Sequence, residues 1–436
     1  MIDDAYMLDD VGGPGRTAPR WLLVPGVAVF TVSLAALLLT TYSLGFAPYD
    51  LGVYLMGADA WRDGIPVYDE AITSRWGIGY FTYPPVTLVF FAALGALTPG
   101  AAHAVMMVLG VAAVVTVIWR VATAFGCASG PGLVGLVLAA TGGALWLEPV
   151  YDSLQQGQIN LILMLLVVAD LTAKSRNRAA GIGIGIAAAA KITPAVFVVY
   201  LLVTRRFRMA ATACATWLAL TALGFAVAPA DSRRFWLAGT FVDSARVAMP
   251  LTPDSVYNQS IHGAAIRFFG SGWGGAGWGD ALWLPLAVVV GVAGLWTAVA
   301  VSRAHGLLAG GLVTAVTGLL VSPLTWHEHW VWIVPVAVGL AVLAWPHRHR
   351  APFAATVIPL AAVLPFLMWP LPYNAEGDLG PASLLSPAHH LWEDEGVVNP
   401  IVGLATAAYP LVGIALVTLA AVATARRPAA RAEEPR

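Results

Sequence analysis

Residues 48–85 read PYDLGVYLMGADAWRDGIPVYDEAITSRWGIGYFTYPP, directly after the first long apolar run. Asp50, Asp59, Asp63, Asp69, Glu70, Arg62 and Arg75 fall inside this stretch, in a chain of which only 11% is charged. Tyr49, Tyr54, Trp61, Tyr68, Trp76, Tyr80, Phe81 and Tyr83 are threaded between them. Aromatic belts are ordinary at membrane edges, so an interfacial linker would account for the rings. Carboxylates beside flat rings at a membrane surface also suit holding a sugar face and taking a proton from a hydroxyl. The rest of the chain decides between these readings.

Working outward, the 436 residues are 59% hydrophobic, and their mean hydropathy is +0.77. Such a composition excludes a soluble globular protein and predicts an all-α fold, a polytopic transmembrane helical bundle. The net charge of −1 comes with no basic stripe, so a nucleic-acid partner is not expected. The two cysteines, Cys127 and Cys214, lie in or beside apolar runs and make neither a disulfide framework nor a ligand pair. Residues 1–20 are acidic, rich in Gly and Pro and without an apolar core, so they read as a tail, not a signal peptide.

Apolar segments recur at 21–46, 85–98, 102–122, 131–147, 159–172, 179–192, 194–204, 209–228, 281–301, 306–321, 330–346, 352–371 and 400–423. A straight span needs about 20 apolar residues, so the expectation is roughly 10 to 13 membrane helices with some short or re-entrant. Non-helical backbone at membrane depth persists only inside protein or beside a wet cavity. Basic residues orient the bundle. Arg16, Arg20, Arg120, Lys174, Arg176, Arg178, Arg205, Arg206, Arg208, Arg303, Arg348, Arg350 and the four arginines from Arg426 onward sit at alternate junctions. Assigning these to the cytoplasm leaves few basic residues outside, as the positive-inside rule prefers. A single domain over 21–425 then has outer loops at 47–84, 148–158, 229–280, 322–329 and 372–399. Cytoplasmic tails cover 1–20 and 426–436.

This topology makes segment 179–204 enter and return from one side. Its break is expected at Lys191-Ile192-Thr193-Pro194, because Pro194 lacks a backbone donor and disfavours helix at Thr193. Lys191 then lies at the tip of a hairpin within the membrane. A single continuous span is the alternative.

Five polar clusters share the outer face: Asp50 to Tyr54; Glu148 through Gln155, Gln156, Gly157, Gln158, Ile159 and Asn160; Lys191 to Pro194; Tyr257 to Ser260, with Arg267 following; and Ser322 to Trp330. Each has a plain structural use, such as helix anchoring, interhelical hydrogen bonding or snorkelling. Buried ionisable groups in membranes are nonetheless functional by default. The His327-x-His329 pair invites a metal, but no third ligand is spaced to complete a site, and none is expected. No cofactor is expected either.

Taken in order, these clusters resemble the GT-C class of polytopic glycosyltransferases, specifically the family 87 mannosyltransferases of mycobacteria and their relatives. The similarity runs through Asp50-Leu51-x-x-Tyr54, Tyr83-Pro84-Pro85, Gly157 to Asn160, Lys191 to Pro194, Asn258-Gln259-Ser260 with Arg267, and Ser322-Pro323 with Trp326 and His329-Trp330. The resemblance implies a GT-C type fold in the plasma membrane and an active site on the extracytoplasmic face. It implies a polyprenyl-phosphate mannose donor, a glycolipid acceptor such as a phosphatidylinositol mannoside or lipomannan, and α-(1→2) linkage. It also implies Asp50 as base. One departure stands out: where relatives often carry adjacent histidines, Glu328 occupies the first position and His327 precedes it.

The chemistry fits the residues on its own terms. A β-linked lipid-phosphate sugar already carries a good leaving group, so the site needs a carboxylate for the acceptor proton and cations for the departing phosphate. Asp50 is the expected base, with Asp59 and Asp63 as rivals. Lys191, Arg267, His329 and His327 are the expected phosphate contacts. Tyr54, Gln158, Asn160, Asn258, Gln259 and Trp326 are the expected sugar and acceptor contacts. A GT-C enzyme moving another polyprenyl-linked sugar, or a transporter or lipid flippase, is the alternative. The latter should carry inverted repeats, and none is visible.

Overall fold

A computed structural model of the chain describes residues 16–43, 48–69, 71–74, 77–174, 176–243, 253–270, 278–347, 350–368 and 404–425. The outer loop expected at 372–399, residues 1–15 of the first tail and the tail at 426–436 lie outside these residues.

The first half of the chain builds α1 (Leu23–Ser43), α2 (Tyr49–Arg62), α3 (Thr87–Leu94), α4 (Pro99–Ala124), α5 (Pro131–Ala144), α6 (Glu148–Gln155) and α7 (Asn160–Leu171). Then come α8 (Ile182–Ala190), α9 (Val196–Val203), α10 (Phe207–Val227), the short α11 (Pro229–Ser232) and α12 (Ile261–Phe269). The remainder folds as α13 (Gly279–His305), α14 (Leu307–Val321), α15 (Ile333–Ala344), α16 (Pro352–Val363) and α17 (Ala408–Ala425). Among the described residues, six helices are long and apolar enough to cross a membrane, and shorter apolar helices such as α5 and α14 stand among them. The protein is an all-α polytopic membrane protein. Among the described residues one small sheet, Ile72–Ser74 paired antiparallel with Gly77–Gly79, lies between α2 and α3.

Local chemistry fixes the helix ends. Thr98 caps α4 by accepting from the Ala101 N–H at 3.3 Å, with Pro99 in the first turn, where no donor is needed. Ser260 caps α12 in the same way, through the Gly263 N–H at 3.0 Å. Glycine brings α1 and α5 into backbone contact: a Cβ on Gly26 would stand 2.1 Å from the Gly135 carbonyl oxygen.

Segment 179–204 folds as the hairpin expected of it. Gly181, at φ +109°, packs so tightly on α10 that a Cβ would lie 2.3 Å from the Met209 carbonyl oxygen. Arg208 donates to the Asn177 carbonyl at 3.2 Å, so the chain leaves and returns at one level. α8 ends at Lys191, whose extended backbone (φ −152°, ψ 132°) breaks the helix before Pro194. The carboxylate of Asp170, on α7, accepts the Ile184 N–H at 2.8 Å and closes the other end of α8.

Two stretches expected as outer loops are helical instead. Residues 49–62 form α2, and Leu51 to Ala58 are buried along it. Residues 148–155 form α6, which meets α7 at 119°. The joint is Gly157, whose φ of +64° other residues seldom adopt. Tertiary burial makes these segments helical, and a reading based on apolar run length does not detect that.

Candidate active site

The α6–α7 joint assembles the site. Gln156 accepts the Tyr49 N–H at 2.8 Å through its side chain and the Leu51 N–H at 3.0 Å through its carbonyl, fixing the start of α2 and hence Asp50. Gln158 accepts a hydrogen bond from Tyr54, which also meets the Tyr83 hydroxyl at 3.1 Å. Asn160 opens α7 and accepts from Lys191 Nζ at 3.0 Å. Each amide of this run thus holds a different neighbour.

Asp50, Gln158, Lys191, Trp326, His327 and His329 line one cavity of about 440 Å³, joined by Asp152, Glu328 and a rim of Tyr49, Tyr80, Tyr83, Tyr257 and Phe241. Asp50 lies outside the membrane-spanning helices. Burial pushes its carboxyl up to about 8, reinforced by the negative charge of Glu328 and opposed by the Lys191 ammonium. A carboxylate held so is a stronger base than usual. Asp59 and Asp63 do not line this cavity; Asp59 pairs instead with Arg62 at 3.4 Å.

Lys191 Nζ stands 2.8 Å from His329 Nε2 and 5.8 Å from the centre of the Tyr83 ring. An ammonium can only donate, so His329 accepts at Nε2 and its ring is neutral in this arrangement. His329 therefore orients the Lys191 charge and adds none of its own. His327 Nε2 lies 3.0 Å from Asp152 Oδ2, and its Nδ1 lies 3.5 Å from Glu328 Oε2. Asp152, His327 and Glu328 each offer one ligand atom, all within 4.8 Å of one another, an arrangement that could hold a metal ion. The third group of this cluster, missing from the sequence spacing, is brought through space by α6.

Several expected contacts are placed elsewhere. Arg267 Nη1 donates to the carbonyls of Ser255 and Asn258 at 2.7 and 3.0 Å, and Nη2 to that of Thr406 at 3.1 Å. Asn258 donates to the Pro253 and Pro323 carbonyls and accepts the Thr325 N–H at 3.1 Å. Gln259 bridges the Val256 and Thr406 carbonyls. None of the three lines the cavity. Their hydrogen bonds run to main chain, and in this arrangement they brace the 253–260 and 322–326 loops. Tyr54 and Asn160 stand behind the lining and touch it through Gln158 and Lys191.

Sequence reasoning missed Asp152 and gave Glu328 no role. The signal lay in Glu148 and Asp152, four apart and so on one face of a helix, but a loop reading of 148–158 hides that spacing.

A family model, that of glycosyltransferase family 87, matches residues 81–323, which carry most of this lining. The chain belongs to glycosyltransferase family 87. Among similar proteins, the polyprenol-phosphate-mannose-dependent alpha-(1-2)-phosphatidylinositol mannoside mannosyltransferase of Mycobacterium tuberculosis is 32% identical over 324 residues, 70% of this chain and 74% of the relative. The protein of the same name from Mycolicibacterium smegmatis is 32% identical over 360 residues, covering 76% and 80%. A phosphatidylinositol pentamannoside mannosyltransferase from Mycolicibacterium smegmatis is 31% identical, covering 72% and 74%. No solved structure matches this family 87 chain.

Proposed function

We propose that the protein transfers mannose from polyprenyl-phosphate mannose to a lipid-anchored glycan, a phosphatidylinositol mannoside or lipomannan, on the outer face of the plasma membrane. The named relatives support the donor and the α-(1→2) linkage. The observation that carries the reading is a carboxylate and an ammonium, Asp50 and Lys191, facing one cavity at the membrane edge. Asp50 takes the acceptor hydroxyl's proton as that oxygen attacks the anomeric carbon. The bond from that carbon to the phosphate oxygen breaks on the opposite face, inverting β to α. Lys191, oriented by Asn160 and His329, meets the charge growing on the departing phosphate. Gln158 and the ring of Tyr83 stand beside the sugar, and Trp326 beside the acceptor.

The test is transfer of mannose by Asp50→Asn in detergent or proteoliposomes. The amide keeps the shape and accepts no proton, so the rate should fall about 100-fold or more while donor binding persists. Because the Asp50 pKa is raised and the carboxylate is the active form, wild-type kcat/KM should climb with pH through the neutral range. An ordinary carboxylate has its midpoint near pH 4 and would be essentially fully ionised by about pH 6. Native activity in the Asn variant, or a profile flat from pH 5 upward, refutes Asp50 as base.

A further inference from the structure

For a site proposed to receive a phosphate, the cavity is lined by more carboxyl groups than strong cations. Asp50, Asp152 and Glu328 bring three carboxyl groups, while Lys191 is opposed to them with His329 as its neutral acceptor. Arg267, the other strong cation near these loops, is engaged by three carbonyls.

A second observation lies at His327. Its Nε2 pairs with Asp152 Oδ2 at 3.0 Å, the hydrogen bond by which a carboxylate fixes a ring tautomer. With the proton on Nε2, the Nδ1 lone pair points the other way. Nδ1 is wholly buried and has no hydrogen-bond partner, although Glu328 Oε2 stands 3.5 Å away. A lone pair and a carboxylate oxygen repel each other unless a second ring proton or a metal ion lies between them, and 3.5 Å is long for a ring N–H donating to a carboxylate. Two ligand atoms each about 2.1 Å from one ion sit about 3.0 to 3.4 Å apart, from right-angled to tetrahedral geometry, which is close to the spacing here.

We infer that His327 Nδ1 and Glu328 bind one divalent cation on the wall of the cavity, with Asp152 holding the imidazole from behind through Nε2. One imidazole nitrogen with carboxylate oxygen suits Mn²⁺ better than Mg²⁺, which takes oxygen ligands, and leaves open positions for water or a phosphate oxygen. The ion offsets the carboxyl groups and adds a positive centre beside Lys191. The site rests on this geometry alone. Its service to the donor phosphate rests on the transfer reading given above.

The experiment is titration of the purified, chelator-treated full chain with Mn²⁺ and no donor, followed by calorimetry and by the Mn²⁺ electron paramagnetic resonance signal. One saturable site per chain is expected, weakened at least tenfold in Glu328→Gln and in His327→Gln. Asp152→Asn should weaken it about tenfold through the ring. The wild-type titration is decisive even if a variant fails to fold. No saturable Mn²⁺ in the wild type, or unchanged binding in both ligand variants, overturns the site and leaves His327 as an imidazolium between two carboxylates. Mannose transfer unaffected by chelator removes the ion from the reaction and leaves the transfer reading intact. Mn²⁺ binding with no mannose transfer does the reverse.

Discussion

Lys191 has the most constrained chemistry in the molecule. It ends a helix of Ala, Ile and Gly, deep enough that its ammonium reaches Asn160, His329 and the face of Tyr83 instead of bulk water. A snorkelling lysine extends towards water, whereas this one points at an amide, an imidazole and a ring. Lys191→Ala should therefore inserted and folded lose about 100- to 1000-fold in transfer, because the lost contact is to charge that develops in the transition state. Lys191→Arg should recover little: a planar fork cannot present one compact charge to both Asn160 and His329. A steady-state assay beside a thermal melt separates the cases, and native turnover in the alanine variant would make the lysine a membrane anchor. Lys191 was legible in the sequence because a cation inside an apolar run is costly and conspicuous. Asp152 and Glu328 were not, because their meaning lies in a meeting between helix α6 and residues 327–329 that no local pattern encodes. Asp50 was legible from its place at the first exit from the membrane.

Elements explain why some conspicuous residues hold the frame of the site and do not touch its lining. The loop 253–260 and the loop 322–326 are joined edge to edge, with the Gln259 N–H donating to the Thr325 carbonyl at 2.7 Å and Asn258 paired with Trp326. Arg267, one turn from the end of α12, clamps the first of these loops and the start of the Ala408–Ala425 region at Thr406. A sequence shows that an Asn, a Gln and an Arg are present near polar loops. It does not show whether they face a cavity or a row of unpaired carbonyls, and burial here assigns them to the carbonyls. Arg267→Ala should consequently destabilise the protein by about 1–3 kcal/mol or more, since buried carbonyls lose their donors together. It should lower the thermal midpoint while the folded fraction keeps the wild-type KM for polyprenyl-phosphate mannose. A raised KM with an unchanged melt would return Arg267 to the phosphate. The helices themselves were largely readable, because long apolar runs have few alternatives in a membrane. α2 and α6 were not, being short and polar at one end.

At the scale of the whole molecule, Arg16, Arg120 and Arg208 lie at one end of the bundle and the site at the other. α7 runs from Asn160, beside Lys191, to Leu171, next to Thr172, whose hydroxyl accepts from Arg120 at 3.1 Å. Near that same end Arg208 reaches Asn177, and Arg16 donates to the Val342 carbonyl at 2.8 Å while its backbone pairs with Gly126, just past the end of α4. Twelve residues of helix separate the two ends of α7, about 18 Å at 1.5 Å per residue. Positive charge near helix ends is retained in the cytoplasm during insertion, so we propose that the Arg16, Arg120 and Arg208 end is the inner one. In that proposed orientation the Asp50 cavity would open outside, where a polyprenyl-phosphate sugar and a glycolipid acceptor could meet without crossing the bilayer. A reporter fused after Arg208 should accordingly be active only in the cytoplasm, and one inserted near Gly275, in the segment between α12 and α13, only outside. Cytoplasmic activity at Gly275 would invert the bundle, place Asp50 and Lys191 on the inner face, and require a donor presented from the cytoplasm.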